Sequence, residues 1–490
     1  MNLKNSHRFF LTLITLAIFA AACDNDKVEP ANTETPPINK DEYVNNWILK
    51  NMQYYYYWNT RIQVNADKAQ TPDQYFADLL VDQDRFSWIQ DNYQELLNSL
   101  NGVSKEPGFE FVLYRDSEQN SNVICQIVYI KPNSPAARIL LNRGTVITHI
   151  NGRQLTMSNY KTLLASLSRN HSLTYHKYKF WNESFAEPVS RNIVPVEYTE
   201  NPNYLHKIID KGGRKIGYFI YNFFANGPTS DSEQYNDEMD QIFAQFKAEG
   251  ISDMVVDLRF NSGGNEKAAN NLASLLRNGT STESIFAKRK FNSTLTDEII
   301  KDPELGPDYL DSKFITKTAN IGNHLAVPRI YFLTSQKTAS ASELVINSLK
   351  PFMDVVLIGN TTYGKNVGSF SLYDDEDSAN TWGMQPIVLK MSNSRGESDY
   401  EEGFTPNVVD LDNSLLLRPL GDPEERLLSL AIAEITGNPA GGRIAAKKQK
   451  GFQAVGHSLD LKRRSFRLVM DKNDPLTKGL REKINVSTKH

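Results

Sequence analysis

The stretch RIYFLTSQKTASASELVINSLKPFMDVVLIG, residues 329–359, decides the fold class of this chain. Apolar runs of strand length stand at its two ends, and an apolar stretch of helical length lies between them. A strand, a helix and a second strand in this order form the unit from which parallel sheets are built. The stretch therefore predicts an α/β core, in which Ser340 begins a helix directly after a strand.

The flanking sequence continues the alternation of strand and helix. IGYFIYNFF and MVVDLR predict strands, while DSEQYNDEMDQIFAQFKAEG and the region around EKAANNLASLLRNG predict helices. We expect a mixed α/β core with a largely parallel sheet over residues 198–440. Functional residues of such sheets lie beyond the carboxyl ends of the strands, which is where Ser340 stands.

Composition limits the class of protein. The chain has 490 residues, 40% of them hydrophobic and 23% charged, and a formal net charge of −4. These values are typical of a soluble globular protein of several domains. A net negative chain gives no support to nucleic-acid binding, which depends on positive charge against phosphates. No cluster of residues at metal-ligand spacing stands out, so we expect neither a metal nor another cofactor.

The N-terminus predicts export and a lipid anchor. Lys4 and Arg8 precede the short apolar run FFLTLITLAIFAAA, which ends at Cys23. The Ala-Ala-Ala-Cys junction is similar to a bacterial lipoprotein cleavage site. We expect residues 1–23 to be the signal peptide and residues 24–40 a flexible tether. The protein would then lie in the bacterial cell envelope, on the outer membrane's periplasmic side or at the cell surface; plain secretion is the alternative.

Residues 41–104 predict an N-terminal helical domain, because apolar side chains recur there at steps of three and four. The run YYYYW, residues 54–58, allows a sugar-binding surface or a packed core. Aromatic residues at helical spacing more often form a core, which is the interpretation we favour.

Residues 105–197 change to short strands and turns. GFEFVLYR, VICQIVYI and TVITHING predict strands, SPAARILLNRG predicts a short helix, and Cys125 is expected to be buried. This order resembles a PDZ domain, with another small β-rich domain as the alternative. The resemblance implies a loop that holds a substrate's terminal carboxylate, formed by Gly108, Phe109, Glu110 and Phe111.

Ser340 has one structural and two catalytic interpretations. Ser340-Ala-Ser-Glu343 fits a capping box, in which the serine only caps a helix. A nucleophilic serine needs a base. His324 precedes the strand before Ser340 and should lie at that strand's opposite end. Lys365 follows the next strand, so its side chain can meet Ser340, and a neutral lysine can serve as the base.

Gly359 to Lys365 also matches the G-x-x-x-x-G-K pattern of a phosphate-binding loop. That motif continues with Ser or Thr and a helix, whereas Asn366 follows here and VGSFSLY predicts extended structure. We therefore expect no nucleotide.

Three motifs together resemble the carboxyl-terminal processing, or tail-specific, peptidases. They are TASASE followed 25 positions later by the lysine of YGK, VVDLRFNSGGN at residues 255–265, and EEGFTPNVV. The resemblance covers residues 41 to 437 and implies a serine endopeptidase acting on proteins or peptides. It implies Ser340 as nucleophile and Lys365 as base, with an oxyanion hole from backbone N–H groups of Gly263 or Gly264 and of Ala341.

Other residues near these motifs are expected to have supporting roles. Ser369 stands where the family often has a glutamine that orients the lysine, so we expect a weaker orienting role. Asp257 and Arg259 are interpreted as shaping the strand end, and Ser342 and Glu343 as helix-start and packing residues. The departure at Ser369 leaves an alternative function open, a catalytically weak envelope scaffold that binds protein C-termini.

Residues 441–490 form a basic tail. Between Arg443 and His490 there are 13 Lys and Arg against 4 Asp and Glu, a net charge of +9. Such a tail can bind anionic partners. A solvated appendage is the interpretation we favour.

Overall fold

The structure, a computed structural model, describes residues 40–116, 121–229, 231–279, 281, 283–437, 454–462, 467–471 and 473–476. The expected signal peptide with Cys23, and all of the tether except Lys40, lie outside the described residues. The described residues form ten α-helices. Their bounds are Lys40–Tyr55 (α1), Pro72–Leu79 (α2), Tyr93–Leu100 (α3), Pro135–Arg138 (α4), Tyr160–Leu164 (α5), Gln234–Ala248 (α6), Glu266–Leu276 (α7), Ser293–Lys301 (α8), Ala341–Leu349 (α9) and Arg426–Ile435 (α10).

The described residues also form 26 β-strands, several of only two or three residues. Their bounds are Trp88–Gln90 (β1), Val103–Glu106 (β2), Phe109–Arg115 (β3), Val123–Ile130 (β4), Val146–Ile150 (β5), Arg153–Gln154 (β6), His171–His176 (β7), Tyr178–Lys179 (β8), Ser184–Phe185 (β9), Val189–Ile193 (β10), Val196–Thr199 (β11), Asn203–Lys211 (β12), Arg214–Tyr221 (β13), Asp253–Asp257 (β14), Gly263–Asn265 (β15), Ile285–Phe291 (β16), Asp311–Lys313 (β17), Arg329–Thr334 (β18), Asp354–Gly359 (β19), Val367–Ser369 (β20), Leu372–Tyr373 (β21), Gly383–Gln385 (β22), Ile387–Ser392 (β23), Val408–Val409 (β24), Ala454–His457 (β25) and Arg467–Val469 (β26).

The central sheet has six strands in the order β12-β13-β14-β18-β19-β24. The β12–β13 pair is antiparallel, and the other four neighbouring pairs are parallel. The predicted α/β core with a largely parallel sheet is therefore confirmed. Because β14, β18 and β19 are neighbours, the loops that follow their carboxyl ends meet at one edge of the sheet.

Alternating side chains give this sheet two apolar faces. Phe219, Val256 and Phe332 pack with buried side chains of α6, α7 and α9. Val255 and Leu333, one position away on their strands, pack with α10. Every residue of α9 is buried, which suits a helix that is apolar on nearly all sides. This burial fixes the helix that carries Ser340 at its N-terminus.

A second sheet, which the sequence analysis did not predict, has the order β15-β26-β20-β23-β16-β17. Strands β15, β26 and β20 run parallel to one another, and the remaining pairs are antiparallel. The expectation that VGSFSLY is extended is confirmed by β20 and β21. Lys365 is followed by β20 and not by a helix, so the phosphate-loop pattern fails here as the sequence indicated.

Residues 105–197, called the β-rich region below, contribute six strands to a sheet of the order β10-β7-β5-β4-β3-β25, in which β6 also pairs with β5. The predicted strands correspond to β3, β4 and β5, and the predicted short helix corresponds to α4. Cys125 is buried in β4, as expected, and burial raises the pKa of its thiol. Gly108 precedes β3, whereas Phe109, Glu110 and Phe111 lie within it. The β-rich character is borne out, and the likeness to a PDZ domain stays a prediction.

The aromatic run at residues 54–58 belongs to the core, as predicted. Tyr55 and Tyr56 are buried, and the other three side chains are partly buried against the same cluster. The N-terminal helical prediction holds for α1, α2 and α3, with β1 as an unpredicted strand.

The interpretation of the basic tail as a solvated appendage is wrong for its described part, residues 454–462, 467–471 and 473–476, called the C-terminal segment below. Strand β25 pairs with β3, and β26 pairs with β15 and β20. Leu459, Leu468 and Met470 are buried. These apolar residues are irregularly spaced among basic ones, so a test for periodicity could not find them.

Candidate active site

Ser340 lies at the start of α9 in a strained backbone conformation. Its φ is 61° and its ψ is −112°, a region that residues with a Cβ rarely adopt. The side chain is buried, and its Oγ has no hydrogen-bond partner among the described residues. Strain and an unsatisfied buried hydroxyl both cost stability, and such features concentrate at functional sites.

The helix-cap alternative for Ser340 is realised only in part. Glu343 Oε2 accepts a hydrogen bond from Ser340 N–H at 2.8 Å. The N–H of Glu343 faces Ser340 Oγ as in a capping box, but the geometry falls short of a hydrogen bond. Capping alone therefore does not satisfy the serine hydroxyl.

Lys365 lies in the loop after β19 with 1% of its surface exposed. Its Nζ is 4.8 Å from the centroid of the Phe86 ring. Burial lowers the pKa of Lys365 well below its ordinary value, and the charge of Arg467 lowers this pKa further, against smaller opposing effects of Asp84 and Glu343. A lowered pKa makes the neutral amine, which can accept a proton, more abundant at a given pH.

Glu343 links the serine loop to the lysine loop. Its Oε2 accepts from the backbone N–H groups of both Ser340 and Lys365, at 2.8 and 2.9 Å. Its Oε1 accepts from Thr362 Oγ1 at 2.6 Å and Gly364 N–H at 2.7 Å. Burial is the largest influence on its carboxyl group, and the pKa of Glu343 rises to about 7 despite these bonds. The sequence predicted Glu343 to be a helix-start and packing residue; its bond to Ser340 N–H bears out the helix-start role, and its bonds to the lysine loop add a positioning role that was not predicted.

Two glycines begin β15, the short strand after β14; Gly263 faces Ser340, and Gly264 packs against Phe224. Gly263 and Gly264 have φ values of 105° and 139°. A Cβ would lie 2.8 Å from Ser340 Cβ at Gly263 and 2.1 Å from Phe224 O at Gly264. Both positions therefore require glycine.

The same two glycines are among the residues predicted to form the oxyanion hole. The N–H of Gly263 already donates to Asn261 Oδ1 at 2.9 Å. Ala341 is the first residue of α9, and the first N–H groups of a helix have no partner within it. Of the three predicted donors, Gly263 N–H is thus already engaged, Gly264 is paired with Leu468 of β26, and Ala341 N–H has no partner within its helix.

Ser369 is buried in β20. Its described hydrogen bonds go to groups other than Lys365, the residue that the family's glutamine orients. Its Oγ donates to Gln385 Oε1 at 2.9 Å and approaches Leu468 O at 3.2 Å. Gln385, which sequence reasoning missed, reaches this position from β22, 16 residues further along the chain. An orienting role of Ser369 toward Lys365 stays a prediction.

Asp257 and Arg259 belong to a buried network of charges. Asp257 accepts from Tyr218 OH at 2.7 Å and pairs with Arg259 at 2.9 Å. Arg259 also pairs with Glu425 at 2.6 Å, and Arg143 of the β-rich region reaches the same carboxylate at 3.2 Å. These contacts agree with the interpretation that Asp257 and Arg259 shape the strand end rather than carry chemistry.

The predicted carboxylate-binding residues lie at an edge that the chain itself occupies. Gly108 has a φ of 90°, and its carbonyl accepts from Lys131 N–H at 2.9 Å. The N–H of Phe111 donates to Ser458 Oγ at 3.0 Å, beside the antiparallel pairing of β3 with β25. The role of Gly108, Phe109, Glu110 and Phe111 in binding a substrate's tail stays a prediction.

His324 is exposed and precedes β18, so it lies at the opposite end of that strand from the serine loop, as expected. In the part of the chain that the structure describes, no three His, Cys, Asp or Glu residues are grouped so as to hold a metal ion. None of the helices in the described ranges has the length and apolar character needed to cross a bilayer.

Family models match two parts of the chain. Residues 215–409 match Peptidase family S41, and residues 43–88 match the Peptidase S41 N-terminal domain. A carboxyl-terminal-processing protease from Picosynechococcus sp. is 27% identical over 220 residues, which cover 43% of this chain and 42% of the relative. The chain therefore matches less than half the length of that curated relative.

One solved structure agrees with the family models, and a second has a weaker likeness to this chain. A protein of Bacteroides fragilis NCTC 9343, provisionally described as an S41 protease, is 27% identical with a TM-score of 0.66, covering 80% of this chain and 97% of that one. The photosystem II D1 C-terminal processing protease is 15% identical with a TM-score of 0.44, covering 76% and 93%. The two family models confirm the resemblance found in the sequence motifs, and residues 43–88 and 215–409 of the chain match the N-terminal and peptidase domains of family S41.

Proposed function

We propose that this protein is an exported serine endopeptidase of the carboxyl-terminal processing type, with Ser340 as nucleophile and Lys365 as general base. One observation carries the proposal. Ser340 has a strained backbone, and its buried hydroxyl has no hydrogen-bond partner among the described residues. The backbone N–H groups of Ser340 and of Lys365, a buried lysine of lowered pKa, donate to the same oxygen, Glu343 Oε2. The family match and the carboxyl-terminal-processing relative support a protease.

The proposed reaction proceeds through an acyl-enzyme. Ser340 Oγ attacks the carbonyl carbon of the scissile bond while Lys365 Nζ takes the hydroxyl proton. The oxyanion receives hydrogen bonds from the N–H groups of Gly264 and Ala341, with the positive end of the α9 dipole nearby. Lys365 then gives its proton to the departing amine. Water hydrolyses the resulting ester with the same base.

Lysine is suited to this role only while it is neutral. Arginine stays protonated in proteins and cannot replace it. Burial, the main cause of the lowered pKa of Lys365, comes from the folded site and persists as long as the site is intact. The proposal therefore predicts a rate that rises with pH through the pKa of Lys365 and stays high above it.

The test is cleavage of an unfolded polypeptide by the purified full chain. We expect Ser340→Ala, Lys365→Ala and Lys365→Arg each to lower the rate by roughly a thousandfold or more. The double variant Ser340→Ala with Lys365→Ala should be no worse than either alone, because the two residues act as a unit. Lys313→Ala, which removes an exposed lysine paired with Glu283, is the matched control and should cleave at the wild-type rate.

Unchanged cleavage in Lys365→Ala would reject the proposed base, and unchanged cleavage in Ser340→Ala would reject the nucleophile. The alternative of a weak scaffold predicts no cleavage by the wild type under any of these conditions. It predicts instead that the edge of β3 binds peptides with a free C-terminus equally well in wild type and Ser340→Ala.

Two further parts of the proposal concern location and recognition. Acylation of Cys23 would anchor the protein in the cell envelope. The β-rich region would recognise substrate tails at Gly108, Phe109, Glu110 and Phe111, through backbone N–H groups that bind a carboxylate. An amidated peptide should then compete less well than the same peptide with a free C-terminus.

A further inference from the structure

The C-terminal segment of the chain lies across both places where a substrate peptide is expected. Its first part, β25, adds to the edge of β3 in antiparallel register, with His457 opposite Val112. Ser458 Oγ accepts the hydrogen bond from Phe111 N–H at 3.0 Å. A strand added to a sheet edge is the manner in which such edges bind peptides. The chain itself thus fills the predicted recognition edge.

Ion pairs fix the segment at this edge. Lys462 pairs with the buried carboxylate of Glu110 and lies 3.5 Å from Glu106 and 3.9 Å from Glu200. Lys131 approaches the same three carboxylates from within the fold. Three buried or nearly buried carboxylates thus face two ammonium groups, one of them supplied by the C-terminal segment. Charge complementarity therefore favours this basic segment as the occupant of the edge.

The second part of the segment, β26, lies between β15 and β20. Arg467 is in register with Gly263, and Val469 is in register with Ser369. Arg467 and Ser340 both border the position that a Cβ on Gly263 would occupy. That position is 2.3 Å from the carbonyl oxygen of Arg467 and 2.8 Å from Cβ of Ser340. A peptide carbonyl of the chain therefore lies beside the candidate nucleophile and its glycine loop.

The side chains around this carbonyl are held on both sides. The guanidinium of Arg467 lies 4.7 Å from a Trp88 ring centroid and donates to Phe86 O. On the other side Leu468 is buried, and Met470 N–H donates to Ser369 O at 3.1 Å. The backbone is thus extended and held beside the candidate nucleophile, as the backbone of a peptide bound for cleavage would be.

We propose that the C-terminal segment is the protein's own substrate, cleaved by Ser340 at the Arg467–Leu468 bond. This inference rests on the proposed peptidase function. Ser340 Oγ would bond to the carbonyl carbon of Arg467, with its proton passing to Lys365. The bond to the nitrogen of Leu468 breaks, this nitrogen takes the proton, and water then hydrolyses the ester. The products are a chain that ends at Arg467 and a peptide of residues 468–490.

A purely structural strand explains the same contacts less well. Such a strand gains nothing from placing a carbonyl beside a strained, unpartnered serine. It also gains nothing from an arginine whose positive charge acts on Lys365, since like charges repel. Both features are expected of a peptide bound for reaction. The carbonyl is the group that the serine attacks, and a neighbouring positive charge favours the neutral form of the base.

The experiment follows the intact mass of the purified full chain during incubation, for wild type and Ser340→Ala. We expect the wild type to lose residues 468–490 while Ser340→Ala keeps them. The rate per molecule should be independent of protein concentration, because the bond already lies in the site. Arg467→Glu should slow the cut at least tenfold, since a carboxylate fits poorly against the carbonyl of Phe86. Arg418→Glu, at a half-exposed arginine on the surface, is the matched control and should be cut at the wild-type rate.

The outcomes separate this inference from the proposed function. A wild type that cleaves an added unfolded polypeptide but keeps its own C-terminus overturns self-cleavage alone. A wild type that cleaves neither overturns the peptidase. Cleavage at another bond, or a rate per molecule that rises with protein concentration, overturns the assignment of the Arg467–Leu468 bond to Ser340 of the same chain.

Discussion

Replacing Glu343 by glutamine tests the carboxylate that joins the serine and lysine loops. The side chain is fully buried and accepts four hydrogen bonds, two on each oxygen. Burial nevertheless raises the pKa of its carboxyl group from an ordinary value of 4.5 to about 7. Glu343→Gln keeps the size and shape of the side chain and removes its titration. Any pH dependence of stability that belongs to this residue should therefore disappear in the variant.

The sign and size of the pH effect on stability follow from the pKa of Glu343 in the unfolded and in the folded state. Between pH 4.5 and 7 the folded protein holds a proton on Glu343 that the unfolded chain has released, so protonation stabilises the fold. This contribution is fully present below pH 4.5 and is lost as pH rises through 7. A shift of about 2.5 pKa units corresponds to about 3 kcal/mol. For a domain of about 150–250 residues, about 3 kcal/mol corresponds to roughly 6–12 °C in melting temperature.

The measurement is the melting temperature of wild type and Glu343→Gln at a fixed scan rate, from pH 4.5 to 8.5. The difference between the two cancels the titration of every other group. We expect wild type minus variant to fall by several degrees between pH 4.5 and 7 and to stay level above pH 7. A difference that stays constant across this range would mean that the four hydrogen bonds fully compensate for burial, and the reasoning about Glu343 would be wrong.

Two other predictions concern the charge network and the anchor. Glu425→Ala removes the nearer of the two carboxylates that Arg259 and Arg143 share, with Asp412 remaining at 3.0 and 3.8 Å, and should cost up to about 3 kcal/mol, seen as a drop in melting temperature that the neighbouring exposed Glu424→Ala does not produce. Cys23→Ala should move the protein from the membrane to the soluble fraction, because each buried methylene of an acyl chain adds about 0.8 kcal/mol of membrane affinity; equal fractionation of both forms would reject the lipid anchor.

The parts of the fold that the sequence predicts are those with local signals. Strands β13, β14, β18 and β19 are short apolar runs, and the helices between them have apolar faces at helical spacing. Once these elements form a parallel sheet, Ser340 and Lys365 must emerge at the same edge, since both follow carboxyl ends of neighbouring strands. The candidate pair could thus be predicted from spacing and topology alone.

The missed features depend on partners far away in the chain. Strand β26 pairs with β15, about 200 residues earlier, and β25 pairs with β3, more than 300 residues earlier. Glu343 has the local signal of a capping box, which explains one of its four bonds but not its contacts with Thr362, Gly364 and Lys365. Pairings of this kind leave no periodic pattern, because any short apolar run can fill them.

The C-terminal segment has two opposite effects on the site. It fills the space between β15 and β20 that another peptide would need, and the charge of its Arg467 lowers the pKa of Lys365. Because burial is the larger cause of that lowered pKa, loss of Arg467 would weaken the base without abolishing it. Cleavage at the Arg467–Leu468 bond would leave Arg467 at the new end of the chain, so another peptide gains access to the cleft only when Arg467 also moves away, and that movement removes its electrostatic effect on Lys365. A peptide that carries a basic residue at the position of Arg467 would restore this effect while it is bound, which favours basic residues just before the scissile bond.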